Sequence, residues 1–349
     1  MPTEQLSLKH TWLNFKKEHP RIRIRDAAKQ LNVTEASILA AFTGSSVLKL
    51  NNDFAGLLQY MPRLGYVMVL TRNEHCVHER KGVFEKVSVH DQTGLVLGAA
   101  IDLRLFLKNW AFAFAVFNDE EAGFKNSIQV FDHQGHAVIK IFLQPGSDAA
   151  AFETLTRQFS AAEQPTLLQL QPAAPQPVYK DATVDITLFR QDWAALKDTH
   201  DFFPLLKKHQ VSRLHALKIA GDFTARLPND TVVRLLQQAS AHNWPIMVFV
   251  GNRGCIQIHT GTVNTLLPIP GWINVMDADF NLHLKLGSIS ETWLVQKPTT
   301  DGPVHSLELY DEQGELIVQF FGKRKPGQPE DQVWATGLRA LAAAQVNAV

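Results

Sequence analysis

The segment MVLTRNEHCVHERKG at residues 68–82 lines up without gaps against MVFVGNRGCIQIHTG at 247–261, sharing Met, Val, Asn, Cys and Gly at an offset of 179 residues. The same offset pairs VFDHQG (130–135) with LYDEQG (309–314), and IDLRL (101–105) with FNLHL (280–284). Three matches at one offset indicate a tandem duplication, so each half must build the same fold around its own core. The chain's 349 residues, 45 % of them hydrophobic, are enough for two ordinary domains. Between the halves lies EQPTLLQLQPAAPQPVYKD, rich in Pro, Gln and Ala, which reads as an extended linker over 161–180. The expected organisation is an N-terminal repeat at 1–160, that linker, and a C-terminal repeat at 181–349. Within each repeat a helical block (about 5–60 and 190–242) precedes β-rich segments such as YVMVL, KVSVH, LRLFL, SIQVF and AVIKIF. Helices followed by consecutive strands predict an α+β fold, each half a helical block followed by a large antiparallel β-sheet.

Several function classes are excluded or weakened by composition. Lys plus Arg (34) balance Asp plus Glu (34), so no net charge draws the chain to nucleic acid or anionic lipid, and no specific nucleic acid is expected. The start, MPTEQLSLKH, lacks the pattern of a secretory signal, and WAFAFAVF is too short to span a bilayer. A cytoplasmic protein without membrane insertion is expected. The two cysteines, Cys76 and Cys255, are repeat equivalents and read as core thiols. No GxGxxG or GxxxxGK[ST] is present to supply a nucleotide site. HCVH (75–78) in a strand points its two imidazoles to opposite faces, and HQGH (133–136) reads as a hairpin tip. RDAAKQLNVTEASILAAF (25–42) has helix-turn-helix spacing with Thr34 as a cap, yet TEASILAAF offers no Arg, Lys, Asn or Gln to base edges. A DNA-binding regulator is therefore only a distant alternative.

The stretch KDTHDFFPLLKKHQVSR (197–213) carries the main functional signal. At helical spacing Trp193, Leu196, His200, Phe203 and Lys207 share one face, and Pro204 is expected to bend or end the helix, leaving His200 at an exposed bend. Imidazole ligates transition metals, and aromatic neighbours wall a flat ring system. That combination suits a porphyrin; the bland alternative is a histidine half buried between ordinary helices.

With the repeated architecture, the IDLRLFLKNW segment, THDFFPLLKKHQVSR and the final VQFFGKRK, the chain resembles the HemS/ChuS/ShuS/HmuS family of bacterial hemin transport and hemin-degrading proteins over essentially its whole length. The resemblance implies heme b (iron protoporphyrin IX) as cofactor, His200 as the axial iron ligand and Arg104 as the residue approaching the iron from the first half. It makes Phe106 and Phe203 ring contacts, and Arg213, Lys297, Gln319 and Arg324 the propionate and distal polar groups. His75 is carried as a second first-half contact. Where the family pattern has a tyrosine just before the glutamine, this chain has Val318. A guanidinium has no lone pair for iron, so Arg104 is better suited to donate to a ligand on the metal. The cations answer the need of buried propionates for partners, though each taken singly is also compatible with a solvated surface charge.

The resemblance implies a cytoplasmic protein of heme uptake, fed by an inner-membrane heme ABC transporter. It either degrades heme with electrons from a reductase, or carries heme to a separate heme oxygenase; it acts as a monomer or homodimer. The duplication adds one further expectation. Trp12 and His19 repeat the spacing of Trp193 and His200, and His283 is the counterpart of Arg104, but His19 is followed by PRIRIR rather than DFFP. One tight site and at most a vestigial second one are expected.

Overall fold

The computed structural model describes residues 2–173, 178–325 and 327–346. In the first half, α1 (Pro2–Glu18), α2 (Ile24–Gln30), α3 (Glu35–Ala40), β1 (Val47–Leu50) and α4 (Phe54–Tyr60) come first. They are followed by β2 (Gly65–Arg72), β3 (Cys76–Gly82), β4 (Val87–His90), β5 (Thr93–Leu97), β6 (Asp102–Phe106), β7 (Trp110–Val116), β8 (Ser127–Asp132), β9 (Ala137–Ser147) and α5 (Ala149–Gln158). The second half repeats this order with α6 (Ile186–Ala194), α7 (Phe202–His209), α8 (Arg213–Ile219), β10 (Thr224–Leu227) and α9 (Thr231–Ala241). Then come β11 (Ile246–Gly251), β12 (Cys255–Gly261), β13 (Leu266–Ile269), β14 (Trp272–Met276), β15 (Phe280–Lys285), β16 (Glu291–Lys297), β17 (Val304–Tyr310), β18 (Leu316–Gly322) and α10 (Gln332–Val346). The strands collect into two large antiparallel sheets, as the α+β reading requires.

The chain divides into two compact units that are not uninterrupted stretches. The first comprises Met1–Arg72, Glu79–Ala174 and Gly251–Gln257, the second Asn73–His78, Pro175–Val250 and Ile258–Val349. Each repeat thus lends a short segment to the unit built from the other, which a division at a linker does not anticipate. Among its described residues the expected linker has no helix or strand, and its residues 174–177 lie outside the described ones. Its beginning is docked on the first unit, where the Gln164 amide both accepts from the Lys49 N–H (2.8 Å) and donates to the Lys49 carbonyl (2.9 Å).

Inside the first unit, β1, β7, β8, β9 and β2 pair side by side, and β4, β5 and β6 form a meander. Inside the second, β10, β16, β17, β18 and β11 pair in the corresponding order, as do β13, β14 and β15. The duplication extends to single side chains. Asn73 Oδ1 accepts from the N–H groups of His75 and Cys76, and Asn252 Oδ1 from those of Gly254 and Cys255. Asp132 and Asp311 each tie the hairpin that follows by accepting from two N–H groups. Cys76 and Cys255 are free and fully buried, and burial pushes the Cys255 thiol up to about 12 despite its 3.3 Å contact with the Thr71 hydroxyl. Cys255 is therefore not a thiolate nucleophile at neutral pH.

The helical blocks pack around equivalent tryptophans. Trp12 and Trp193 are buried, and each indole N–H donates to a backbone carbonyl, that of Ala122 (3.2 Å) and of Gln296 (3.0 Å) respectively. In α3, Thr34 accepts from the Ser37 N–H as the sequence suggests, but the helix is sunk into the core: Glu35, Ala36, Ile38, Leu39 and Ala40 are all buried. The Glu35 carboxylate is held there by the equally buried Lys140. A helix with only Ser37 partly open has no face for a DNA groove, so the helix-turn-helix alternative is withdrawn. No helix among the described residues is long and apolar enough to cross a membrane.

Candidate functional site

The continuous helical face expected from Trp193 to Lys207 is interrupted. α6 stops at Ala194, a single 3-10 turn covers Thr199–Asp201, and α7 starts at Phe202. A capping box causes the restart: the Asp198 side chain accepts from backbone N–H at the turn, while Asp201 Oδ2 accepts from the Asp198 N–H (3.0 Å). Pro204 then falls in the first turn of α7, where a missing N–H costs nothing, so it neither bends nor ends the helix. The expected exposure of His200 holds for this different reason. Its side chain is 92 % exposed, and its Nδ1 lies 2.5 Å from Asp198 Oδ1. The two phenylalanines that follow divide their work. Phe203 is 75 % exposed, whereas Phe202 is buried against Trp193 with ring centroids 5.0 Å apart.

Phe202 links this turn to the cationic residues of the second unit. Lys297 Nζ lies 4.4 Å from its ring centroid and the Arg213 guanidinium carbon 5.0 Å from it. Both cations converge on Glu308, whose side chain is wholly buried. Arg213 donates from Nη2 to both carboxylate oxygens (3.0 and 2.9 Å), Lys297 donates to Oε1 (2.9 Å) and the Gln319 amide donates to the same oxygen (2.9 Å). The Tyr310 hydroxyl donates to Glu308 Oε2 (2.6 Å) and accepts from Arg213 Nε (2.9 Å). The strand register explains the convergence, since Glu308 of β17 faces Trp293 of β16 on one side and Gln319 of β18 on the other. Val318 is buried, and the phenol in this cluster is that of Tyr310 on β17.

Burial by itself would raise the Glu308 carboxyl; the charges of Arg213 and Lys297 outweigh it and hold the group well below the usual glutamate range. Burial lowers the Lys297 ammonium, Arg213 repels it, and Glu308 only partly compensates. Arg213 faces the opposite balance, its charge secured by Glu308 and Tyr310 against burial. Two cations thus share one carboxylate, and the surplus charge is presented by Arg213, whose side chain is 28 % exposed against 4 % for Lys297.

Arg324 follows β18 and lies 3.7 Å from Asp301. Its charge also acts on Asp198, whose carboxyl is lowered first by the His200 backbone N–H, with the His200 ring and Arg324 adding and burial opposing. The second unit therefore gathers His200, Arg213, Lys297, Gln319 and Arg324 around one helix start and the adjoining strands. His75, also in this unit, has its Nε2 3.4 Å from Asp311 Oδ2. His283 faces Asn274 through Nδ1 at 2.8 Å.

Arg104 and Phe106 belong to the first unit. On β6, Leu103 and Leu105 are buried while Asp102, Arg104 and Phe106 alternate toward the partly open face. The Arg104 guanidinium is paired with Asp102 on that face. His19 follows α1 and packs on Phe15 at 4.6 Å between ring centroids. Among the described residues, no group of three or more His, Cys, Asp or Glu side chains is placed to hold a metal ion.

Three groups in the second unit were not recognised from sequence: Asp198, Glu308 and Tyr310. The first has a local signal, the Asp-x-His spacing inside an Asp-x-x-Asp capping box. Glu308 is signalled only as a carboxylate inside the wholly buried strand VHSLELY.

The haemin-degrading HemS.ChuX domain matches the chain twice, over residues 32–159 and 210–341. The hemin transport protein HmuS of Yersinia pestis is 39 % identical over 341 residues, covering 96 % of this chain and 97 % of its own length. Holo-PhuS, a heme-binding protein from Pseudomonas aeruginosa, superposes with a TM-score of 0.92 at 48 % identity, over 97 % of this chain and 98 % of its own. ChuS, an E. coli heme oxygenase, superposes with a TM-score of 0.86 at 35 % identity, over 96 % and 99 % of the two chains.

Proposed function

Because the chain belongs to the haemin-degrading HemS/ChuX family, we propose that it binds heme b through His200 as axial ligand, and that it serves heme uptake in the cytoplasm. The observation that carries this reading is the placement of His200: an imidazole 92 % exposed at a helix start, engaged through Nδ1 by Asp198, with Nε2 left to the outside. A porphyrin asks a protein for one or two axial donors, apolar or aromatic contact for its faces, and cations for its propionates. The second unit offers the histidine, the exposed Phe203, surplus positive charge at Arg213, and a further cation, Arg324, beside Asp301. Bound iron protoporphyrin would supply the redox chemistry; the chain's residues would anchor, orient and neutralise it.

Within this reading Arg213 and Arg324 are the propionate groups. Lys297 and Gln319 act behind them by holding Glu308, and so sustain the surplus charge. Arg104 and Phe106 are further contacts on the strength of the resemblance, and His75 an auxiliary one. For Arg104→Ala the expected result is heme affinity kept within about tenfold and turnover reduced by roughly 10²-fold, the usual cost of removing one donor to developing charge. Equilibrium titration and single-turnover absorbance separate the two; complete loss of binding would make Arg104 an anchor.

Degradation to release iron, with electrons from a reductase, is the leading activity, supported by the likeness to the E. coli heme oxygenase. Delivery to a separate oxygenase is the second reading, favoured by the higher identity to PhuS, described as a heme-binding protein. In either case an inner-membrane heme transporter is the proposed donor. The deciding experiment adds a reductant in air to the heme complex with catalase present. Loss of the Soret band with release of iron supports degradation; a stable spectrum supports delivery.

A further inference from the structure

We propose that Asp198 sets the tautomer and donor strength of the His200 imidazole, so that the carboxylate and the histidine work as one unit. The tautomer can be read on the protein alone; the effect on donor strength rests on the heme reading above.

Asp198 is built into its position. Asp201 Oδ2 accepts from the backbone N–H groups of Asp198 (3.0 Å) and Lys197 (3.2 Å), which fixes the approach to the turn. Asp198 Oδ1 in turn accepts from the His200 backbone N–H at 2.8 Å and meets His200 Nδ1 at 2.5 Å. An ionised carboxylate can only accept, so Nδ1 must carry the ring proton and the lone pair of the neutral imidazole must lie on Nε2. That is the nitrogen open to a ligand. A hydrogen bond from the far nitrogen to an anion also raises the basicity of the near one, and such outer partners of metal-bound histidines typically contribute roughly 10–100-fold in affinity or activity.

The first repeat supplies an internal contrast. His19 stands in the same relation to Trp12 as His200 to Trp193, yet Lys17 occupies the place of Asp198. An ammonium cannot accept from an imidazole N–H. His19 instead rests on the ring of Phe15. The repeat that lacks the DFFP wall also lacks the carboxylate, so the pairing is a specific feature of the second repeat.

The test uses full-length, ligand-free protein labelled with ¹⁵N-histidine, in mildly alkaline buffer, as wild type, Asp198→Asn and Asp198→Ser. Both replacements can still cap the turn, so circular dichroism should match wild type. Long-range ¹H–¹⁵N correlations are expected to show His200 as the Nδ1–H tautomer in wild type and a shift toward Nε2–H in both variants. A second measurement takes the heme complexes and compares ferric with ferrous affinity. Removing the anionic partner should lower their ratio by about tenfold, equivalent to a rise of about 59 mV in the one-electron potential. The same tautomer in all three proteins overturns the inference, as does a ferric-to-ferrous ratio unchanged in Asp198→Asn. Should wild type show the Nδ1–H tautomer but take up no heme, the heme reading falls while the Asp198–His200 pairing stands.

Discussion

Glu308→Ala is expected to destabilise the second unit by roughly 3–5 kcal/mol, the usual cost of leaving buried charge without its partner. The variant strips Arg213 of its bidentate contact and removes the carboxylate bonded to the buried Lys297. It also opens a void between β16, β17 and β18, beneath α7 and α8. Against a typical total of about 5–15 kcal/mol for a domain, such a loss is close to unfolding. Chemical denaturation followed by tryptophan fluorescence will register it, since Trp193 and Trp293 both lie in the apolar cluster of this region. Exchanging the charged set together, as Glu308→Leu with Arg213→Met and Lys297→Met, should recover most of the stability, because the desolvation of all three groups disappears at once. If Glu308→Ala unfolds at the wild-type midpoint, the cluster is not a structural keystone.

The pH dependence has a definite sign. A carboxylate depressed in the folded state contributes stability that is fully present above its unfolded value of about 4.3 and is lost as pH falls toward the folded value. Wild type should therefore lose stability on acidification below about pH 4.3, and Glu308→Gln should lack that portion of the loss while starting from a lower plateau. A Glu308→Gln curve parallel to wild type throughout this range would contradict the assignment.

The duplication was legible because three segments keep one offset of 179 residues, even though the helical blocks have slipped to 181 at Trp12 and Trp193; the strands of the two halves recur in the same order. What escaped was whatever depends on pairing between distant strands. Glu308 looks unremarkable in VHSLELY until the register sets it between β16 and β18, under Arg213 of α8. The exchange of Asn73–His78 and Gly251–Gln257 between units leaves no local signature either, since turns of identical chemistry occupy both places. The helix from Trp193 to Lys207 was misjudged in an instructive way. Apolar spacing suggested continuity, while the local competition from Asp198 and Asp201 for backbone N–H groups ended one helix and began another.

His200→Ala carries the largest functional expectation. Every other contribution to binding in the second unit is contact or charge, whereas this side chain is the one proposed to bond the iron; losing it must cost at least as much as losing its supporting partner, on the order of 10–100-fold in affinity. His75 faces Asp311 and His209 faces Asp192, so neither is poised to take its place. The decisive measurement is a heme titration of wild type beside His200→Ala, followed by absorption and repeated with His19→Ala, His75→Ala and His283→Ala in the His200→Ala background. The account predicts one tight site in wild type, with a weakened and spectrally altered complex in His200→Ala that none of the added changes specifically abolishes. An unchanged ferric spectrum and affinity in His200→Ala, or a full-strength residual site that vanishes with His19, His75 or His283, would contradict it.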